Sequence, residues 1–91
     1  MRLDKYLKVS RLIKRRTVAN EACSGGRVYL NQKLAKPGTE VKVHDIISIR
    51  FGEHVGHYEV LNIAETVRKE EASDMYRVLE ESGDIDVIRN S

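Results

Sequence analysis

The chain has 91 residues, enough for one small domain, and this length excludes a multidomain enzyme with a large substrate cleft. Its 16 Lys and Arg residues are nearly balanced by 14 Asp and Glu residues, and its longest stretch without these charges is five residues, far below the roughly 20 apolar residues of a membrane helix. Because the start also lacks the apolar core of a secretory signal and Cys23 is the single cysteine, we expect a cytosolic protein without a disulfide or a cysteine-built zinc site.

The near balance of charge conceals a division between the two halves of the sequence. Residues 1–50 contain 12 basic and 4 acidic side chains, a net charge of +8, whereas residues 51–91 contain 4 basic and 10 acidic ones, a net charge of −6. A segment this positive predicts an anionic partner, because neutralising several phosphates releases condensed counterions and gives tight, salt-sensitive binding.

The first residues predict an amphipathic helix with a basic outer face. Its apolar arc holds Leu3, Tyr6, Leu7 and Ser10. Its opposite arc holds Arg2, Asp4, Lys5, Lys8 and Arg11, and the basic series continues through Lys14, Arg15 and Arg16. Asp4 is the one acid in this series, so we expect its carboxylate to orient Arg2, Lys8 or Arg16 rather than to contact an anion itself.

A second helix is predicted from about residue 15 to residue 24, with Gly25-Gly26 as its left-handed stop. Its apolar arc holds Val18, Ala19, Ala22 and Cys23, and its polar arc holds Arg16, Thr17, Asn20 and Glu21. The free amides at the helix start could accept a phosphate beside Arg16 and Thr17, and Asn20 shares the Arg16 face. A capping role for Thr17 and a merely polar role for Asn20 are equal alternatives.

After Gly26 the apolar period changes from 3.6 to 2, which predicts short strands. The predicted order is a strand with Val28 and Leu30, a tight turn at Asn31-Gln32, a strand over residues 33–35, a turn at Pro37-Gly38, an alternation of Val41 and Val43, a strand with Ile47, Ile49 and Phe51, a loop over residues 52–56, and a strand over residues 58–63. The helix-helix-sheet order predicts an α+β domain. Four residues around the first hairpin could extend the basic surface onto the sheet edge: Arg27, Asn31, Lys33 and Lys36.

The acidic C-terminal part predicts a different kind of structure. From residue 65 onward, acidic residues surround a sparse apolar series that includes Ala72, Met75, Tyr76, Val78 and Leu79. This pattern predicts a short acidic helix, and residues 82–91 have too little apolar surface to fold alone, which predicts a mobile tail. We therefore divide the chain into a binding domain, residues 1–64, and an acidic helix with a tail, residues 65–91.

Motifs for catalysis are weak in this sequence. His44, His54 and His57 are scattered, and only the last two are close enough to suggest a site, without a further ligand nearby. Cys23 lies on an apolar arc, as a buried thiol would, and Gly25-Gly26 does not begin a phosphate-binding loop. We therefore expect no enzymatic activity, no metal and no cofactor.

A set of short motifs is spaced over about residues 1–51, and they are considered together. They are Arg2-Leu3-Asp4-Lys5-Tyr6-Leu7, Ser10-Arg11, Lys14-Arg15-Arg16-Thr17, Ala22, Gly26-Arg27-Val28, Asn31, Lys36-Pro37-Gly38 and Val43-His44-Asp45. Together they resemble the S-four RNA-binding domain, which is named after the fourth small-subunit ribosomal protein. The resemblance implies two packed helices on a small, curved, mostly antiparallel sheet.

Residues 68–72 with Met75-Tyr76 look like the free-standing branch of this family that serves bacterial ribosome-associated quality control. That branch implies a protein that binds obstructed large ribosomal subunits with peptidyl-tRNA, contacts rRNA and tRNA, and supports template-free alanine tailing by a partner that recruits charged tRNA. The core of the implied RNA surface is Arg2, Asp4, Lys8 and Arg16, surrounded by Lys5, Arg11, Lys14, Arg15, Thr17 and Asn20. We expect a monomer in the cytoplasm, associated with the ribosome and not with membranes.

Other functions remain open at this point. A helix-turn-helix DNA regulator would also use two short helices with a basic face, although the small apolar residues of the second helix and the lack of a dimer element argue against it. A general ribosome-assembly or heat-shock rRNA-binding protein would share the same basic surface. A small hydrolase would require Cys23 to be a reactive thiol.

Overall fold

Two short helices begin the fold. In the computed structural model, which describes residues 1–79, α1 spans Leu3–Val9 and α2 spans Arg16–Ser24. The first amides of α1 are held by a distant turn, because the N–H groups of Leu3 and Asp4 donate to the carbonyl oxygens of Thr39 and Pro37 at 2.8 and 3.1 Å. The predicted pair of N-terminal helices is confirmed.

The strands within residues 28–78 form one antiparallel sheet in the order β2-β1-β3-β4-β5. They are β1 Val28–Leu30, β2 Lys33–Leu34, β3 Ile46–Phe51, β4 His54–Val60 and β5 Tyr76–Val78. Asn31 and Gln32 join β1 to β2 with φ values of 52° and 71°, the left-handed pair that tight hairpin turns require. The predicted α+β class and this turn are both confirmed.

One buried cluster joins the helices to the sheet. Its members include Leu3, Tyr6 and Leu7 from α1, Ala19, Ala22 and Cys23 from α2, and Val28, Ile47, Ile49 and Val60 from the sheet. Small residues on α2 leave room for the larger side chains of α1, as the sequence predicted. Val18 is a correction to that prediction, since its side chain is 44% exposed and lies outside the cluster.

The hairpin of β3 and β4 differs from the prediction. Phe51 pairs with His54, so the predicted loop over residues 52–56 is a two-residue turn in which Gly52 has a φ of 60°. Gly56 lies inside β4, where a β-carbon would come within 2.8 Å of Tyr58 Cζ. Because Gly56 has no side chain, the Tyr58 side chain can lie against it within the strand, and this glycine does not mark a loop. The predicted strand over residues 58–63 was therefore placed too late.

The alternation of Val41 and Val43 does not produce a strand. Val41 is buried and donates its N–H to the carbonyl oxygen of Met1 at 2.9 Å, whereas Val43 is 42% exposed. The backbone turns here, because the Lys42 N–H donates to Asp45 Oδ2 at 2.8 Å and His44 has a φ of 81°. A side-chain-stabilised turn thus replaces the extended conformation that the pattern favours.

The acidic segment is a 3₁₀ helix, Lys69–Met75, in which Ala72 and Met75 are buried. The residues after it form β5 and not the end of a helix, as Val60 of β4 pairs with Tyr76. The division of the chain at residue 64 stays a prediction, and the predicted tail over residues 82–91 lies outside the described residues. Within residues 1–79, no helix has both the length and the apolar character needed to cross a membrane.

Candidate nucleic-acid interface

A buried carboxylate organises the start of both helices. Asp4 is only 2% exposed, and its Oδ1 and Oδ2 accept hydrogen bonds from Arg2 Nε at 3.1 Å and Arg2 Nη2 at 3.2 Å. From α2, Arg16 Nη2 donates to Oδ1 at 3.4 Å and Asn20 Nδ2 donates to Oδ2 at 3.2 Å. We call these four residues the Asp4 network.

The Asp4 network explains part of the sequence prediction and corrects another part. The helical wheel placed Asp4 on the exposed basic arc, but its neighbours bury it. Of the three side chains that Asp4 was expected to orient, Arg2 and Arg16 donate hydrogen bonds to its carboxylate and Lys8 does not, and Asn20 is a further partner. The side chains of Arg2 and Arg16 remain 55% and 48% exposed, so each guanidinium is held on one side and open to solvent on the other.

Opposing effects set the pKa of Asp4. Burial raises it, whereas the hydrogen bonds from Arg2 and Asn20 and the charges of Arg16 and Arg2 lower it, leaving the pKa at about 2. The same carboxylate raises the pKa of Arg2 through its hydrogen bond and its charge. At neutral pH the ionised Asp4 carboxylate is therefore paired with two cations, Arg2 and Arg16. Its single negative charge offsets only one of them, so a net positive charge remains at this surface.

Arg16 lines two open depressions. One, of about 480 Å³, contains the Asp4 network together with Thr17 and Glu21. The other, of about 470 Å³, is lined by Lys5, Lys8 and Arg11 and is closed on its far side by residues 65–67. The structure thus brings most of the predicted helical site residues together around one arginine. Thr17 is the second residue of α2 and not its cap, because Arg15 occupies the N-cap position.

The remaining predicted residues lie around this centre. Lys14 and Arg15 are exposed in the connection between α1 and α2, and Arg27, Lys33 and Lys36 are exposed on the sheet side. The turn that follows Lys36 reaches the network, since a β-carbon on Gly38 would lie 3.9 Å from Arg2 Cζ.

Asn31 is used within the fold. Its Nδ2 donates to Asp45 Oδ1 at 3.1 Å, and its Oδ1 accepts the N–H of Ile46 at 2.9 Å. These bonds fix the first hairpin to the start of β3. Its contact with RNA stays a prediction, and the hydrogen bonds give it a structural role in addition.

Sequence reasoning missed the far wall of the second depression. Glu65 forms an ion pair with Lys5 of α1, sixty positions away, and Thr66 and Val67 complete the lining. No local pattern could signal this pairing, because it depends on how the segment after β4 crosses the helices.

The candidate catalytic residues occupy structural settings. Burial and the charge of Asp4 raise the pKa of the Cys23 thiol to about 11, which disfavours the nucleophilic thiolate. His57 Nδ1 lies 2.7 Å from Ser48 Oγ, and His44 Nδ1 lies 3.4 Å from Glu59 Oε2. Among residues 1–79, no group of three His, Cys, Asp or Glu side chains is placed to hold a metal ion.

Comparison with known proteins assigns the family. Residues 1–47 match the family model of the S4 domain, the S-four domain of the motifs above. The chain belongs to the S4 domain family. It is 58% identical over 81 residues to a protein of Halalkalibacterium halodurans named RQC P-site tRNA stabilizing factor, with 89% of this chain and 92% of that one covered. A protein of the same name from Bacillus subtilis is 48% identical over 81 residues, covering 89% of this chain and 94% of the relative.

The heat-shock branch of the S4 domain family is more distant in sequence and similar in fold. The heat shock protein 15 homolog of Aeromonas salmonicida is 34% identical over 65 residues, or 71% of this chain and 49% of that one. The trimeric structure of Vibrio cholerae heat shock protein 15 aligns with a TM-score of 0.82 at 30% identity, covering 100% of this chain and 92% of that one. These similarities confirm the S4 fold predicted from the motifs.

Proposed function

We propose that this S4 domain protein is a non-catalytic adaptor of ribosome-associated quality control that binds tRNA on obstructed large ribosomal subunits. The observation that carries the proposal is the Asp4 network, which holds the exposed guanidinium groups of Arg2 and Arg16 in a fixed relation on one surface. The names of relatives at 48% and 58% identity support the same role.

The chemistry of this surface suits structured RNA. An A-form helix hides its base edges in a deep, narrow groove, so proteins recognise it by its shape and by the spacing of its phosphates. Guanidinium groups bind phosphates in a planar, often bidentate geometry, and a preorganised pair loses less side-chain freedom on binding. We therefore expect recognition of backbone geometry with little dependence on sequence.

The finer parts of the proposal concern partners. The protein would contact large-subunit rRNA and peptidyl-tRNA together, as a cytoplasmic, ribosome-associated monomer, and would hold the tRNA while a partner that recruits charged tRNA adds alanine to the stalled chain without a template. A surface with two depressions that share Arg16 has room for contacts with more than one RNA strand.

The proposed RNA surface includes every residue predicted from the sequence. Its centre is Arg2, Asp4, Lys8 and Arg16, with Lys5, Arg11, Lys14, Arg15, Thr17 and Asn20 around it. The sheet side adds Arg27, Asn31, Lys33 and Lys36. We assign Asp4 and Asn20 a positioning role, because Asp4 contacts both arginines and Asn20 contacts Asp4.

The test is co-sedimentation of an Arg2→Ala variant with large ribosomal subunits over a series of salt concentrations. Loss of one phosphate contact should weaken binding by roughly tenfold and reduce the slope of log affinity against log salt by about 1. Arg77→Ala is the matched control, since it removes the same charge from β5, where Arg77 pairs with Glu59. Equal co-sedimentation of Arg2→Ala and wild type would contradict this placement of the surface.

The cellular role is tested by capturing the tagged protein from cells and sequencing the bound RNA and nascent chains. We expect large subunits with tRNA and alanine-tailed chains. Recovery of intact ribosomes or messenger RNA would contradict the quality-control role. A preference for duplex DNA over rRNA in a competition assay would favour the helix-turn-helix alternative.

A further inference from the structure

The second depression beside Arg16 has walls from two distant parts of the chain. One wall carries Lys5, Lys8 and Arg11, from α1 and the turn after it, and the other is the segment over residues 65–67. Its volume of about 470 Å³ falls within the roughly 300–1,000 Å³ of ligand sites in proteins. We call it the Glu65 cleft.

The core holds the far wall of the Glu65 cleft in place. Ile63, Ala64 and Val67 pack against the buried cluster. The N–H groups just before them, of Leu61 and Asn62, both donate to the carbonyl oxygen of Met75, at 2.8 and 3.2 Å. The backbone that carries residues 65 and 66 is thus anchored on both sides, while these two residues face solvent.

The charges in the Glu65 cleft are unequal. Four cationic side chains line it, Lys5, Lys8, Arg11 and Arg16, against the single acidic side chain of Glu65. The Glu65 carboxylate is paired with Lys5 Nζ, and their side chains are 76% and 33% exposed. The hydrogen bond and charge of Lys5 lower the pKa of Glu65. An exposed pair of this kind exchanges readily with other ions.

We propose that the Glu65 cleft binds the phosphodiester backbone of an RNA strand and that Glu65 is a displaceable counter-ion, which a phosphate replaces at Lys5. The inference rests on the proposed function, since it requires that the protein binds RNA. A phosphate that enters would displace the Glu65 carboxylate from Lys5, and this carboxylate would remain beside the cleft and offset one of its four positive charges. Fewer cations condensed on the RNA would then be released than by four unopposed cations. Glu65 then acts against weak, non-specific RNA binding and yields to a backbone that reaches the other three cations as well.

The test compares Glu65→Gln with Glu53→Gln, a matched loss of one exposed carboxylate from the turn between β3 and β4. Binding is measured with two probes, deacylated tRNA and large subunits stripped of tRNA, to distinguish the source of the strand. With the probe that occupies the cleft, Glu65→Gln should bind about three- to tenfold more tightly than Glu53→Gln. Its salt slope should be steeper by about 0.7–0.9, the value for one additional released counterion.

A double variant isolates the role of Lys5. In a Lys5→Gln background, the effect of Glu65→Gln on affinity should be smaller than in the wild-type background, because the ion pair with Lys5 is gone and only the repulsion between Glu65 and phosphate remains. Equal effects of Glu65→Gln and Glu53→Gln with both probes would overturn the proposal. Weaker binding by a folded Glu65→Gln variant would overturn it too, since Glu65 would then assist binding.

Crosslinking provides a readout that does not depend on affinity. Thr66→Cys places a thiol at the rim of the cleft for a photoactivatable label, and native Cys23 stays unlabelled because it is buried with a raised pKa. We expect RNA crosslinks from position 66 and none from Glu53→Cys. Absence of crosslinks from position 66 in a complex that still forms would refute the cleft.

The cleft and the proposed function can fail separately. Arg2 belongs to the Asp4 depression and does not line the Glu65 cleft. If Arg2→Ala weakens subunit binding while Glu65→Gln behaves like Glu53→Gln, the cleft is refuted and the proposed function stands. If Glu65→Gln alters the salt slope while captured complexes lack ribosomal subunits, the cleft stands and the quality-control role is refuted.

Discussion

Two carboxylates in this molecule each hold two basic side chains, but in different surroundings. Asp4 is 2% exposed and joins α1 to α2 through Arg2, Arg16 and Asn20. Glu59 is 18% exposed and joins β4 to β5, where Arg77 Nε donates to its Oε1 at 3.2 Å, with His44 on its other oxygen. Asp4 has two arginines and an amide as partners and Glu59 has one arginine and one histidine, so the two sites differ both in burial and in their partners.

Burial makes the two carboxylates depend differently on their partners. The desolvation of Asp4 raises its pKa, and the charge persists only because three side chains solvate it in place of water. Glu59 remains accessible to water, so Arg77 and His44 lower its pKa without being indispensable. Asp4 therefore depends on its partners to offset the cost of burial, whereas water also solvates Glu59, and the two arginines of Asp4 lie on the proposed RNA surface.

The largest effect is expected from Asp4→Ala. Arg2 and Arg16 would lose their common anchor, so tRNA affinity should fall by about ten- to a hundredfold although the protein becomes more positive. Removing one partner of a fully buried pair costs about 3–5 kcal/mol; we expect about 2 kcal/mol here, because the arginines left behind can reach water. Fluorescence anisotropy with labelled tRNA and urea unfolding measure the two effects.

Asp4→Arg tests whether geometry or net charge governs binding. This variant adds a further positive charge to the surface, and it should bind RNA as poorly as Asp4→Ala. A folded Asp4→Arg variant with wild-type or higher affinity would mean that the Asp4 network has no special role and that the surface acts as a simple basic patch.

The next largest effect is expected on the stability of the fold at acidic pH. Because the folded pKa of Asp4 is about 2, below its ordinary value of 3.8, the network stabilises the fold fully above about pH 4. This contribution, roughly 2 kcal/mol, is lost as the pH falls from the unfolded value through the folded one. Urea midpoints measured from pH 5 to about pH 2 should fall more steeply for wild type than for Asp4→Asn. Parallel profiles would contradict a lowered pKa.

The smallest effect is expected from Glu59→Gln. The pair with Arg77 is exposed to solvent, and exposed ion pairs add little to stability. We expect a barely measurable change in the urea midpoint and wild-type affinity for tRNA. A loss of RNA binding comparable to that of Asp4→Ala would remove the distinction between the two carboxylates.

The sequence predicted those parts of the fold that local patterns determine. The apolar arcs around Tyr6 and Ala22 defined two helices, and Asn31-Gln32 defined the first turn. The orienting role of Asp4 could also be predicted, because one acid within a basic helix face needs a partner. The burial of Asp4 could not be predicted, since Arg16 and Asn20 reach its carboxylate only once α2 has packed against α1.

The predictions that were wrong concern parts of the fold that depend on contacts between separate segments of the chain. Gly56 resembles a loop residue, but it lies within β4, where it pairs with Ile49 of β3. Tyr76 and Val78 fit a helical pattern, but they pair with the free edge of β4. The Glu65 cleft was invisible for the same reason, because its walls come from segments sixty residues apart.

The buried hydrogen bond from Tyr6 Oη to the carbonyl oxygen of Met75, at 2.7 Å, also has a consequence for the time at which the molecule becomes functional. It spans 69 positions, and contacts this distant in sequence form late because a long loop must close first. During translation, α1 is made before the other described elements, and its packing is complete only once the 3₁₀ helix that ends at Met75 has been made. The helix that carries part of the proposed RNA surface is therefore fully packed only after residue 75 has been made.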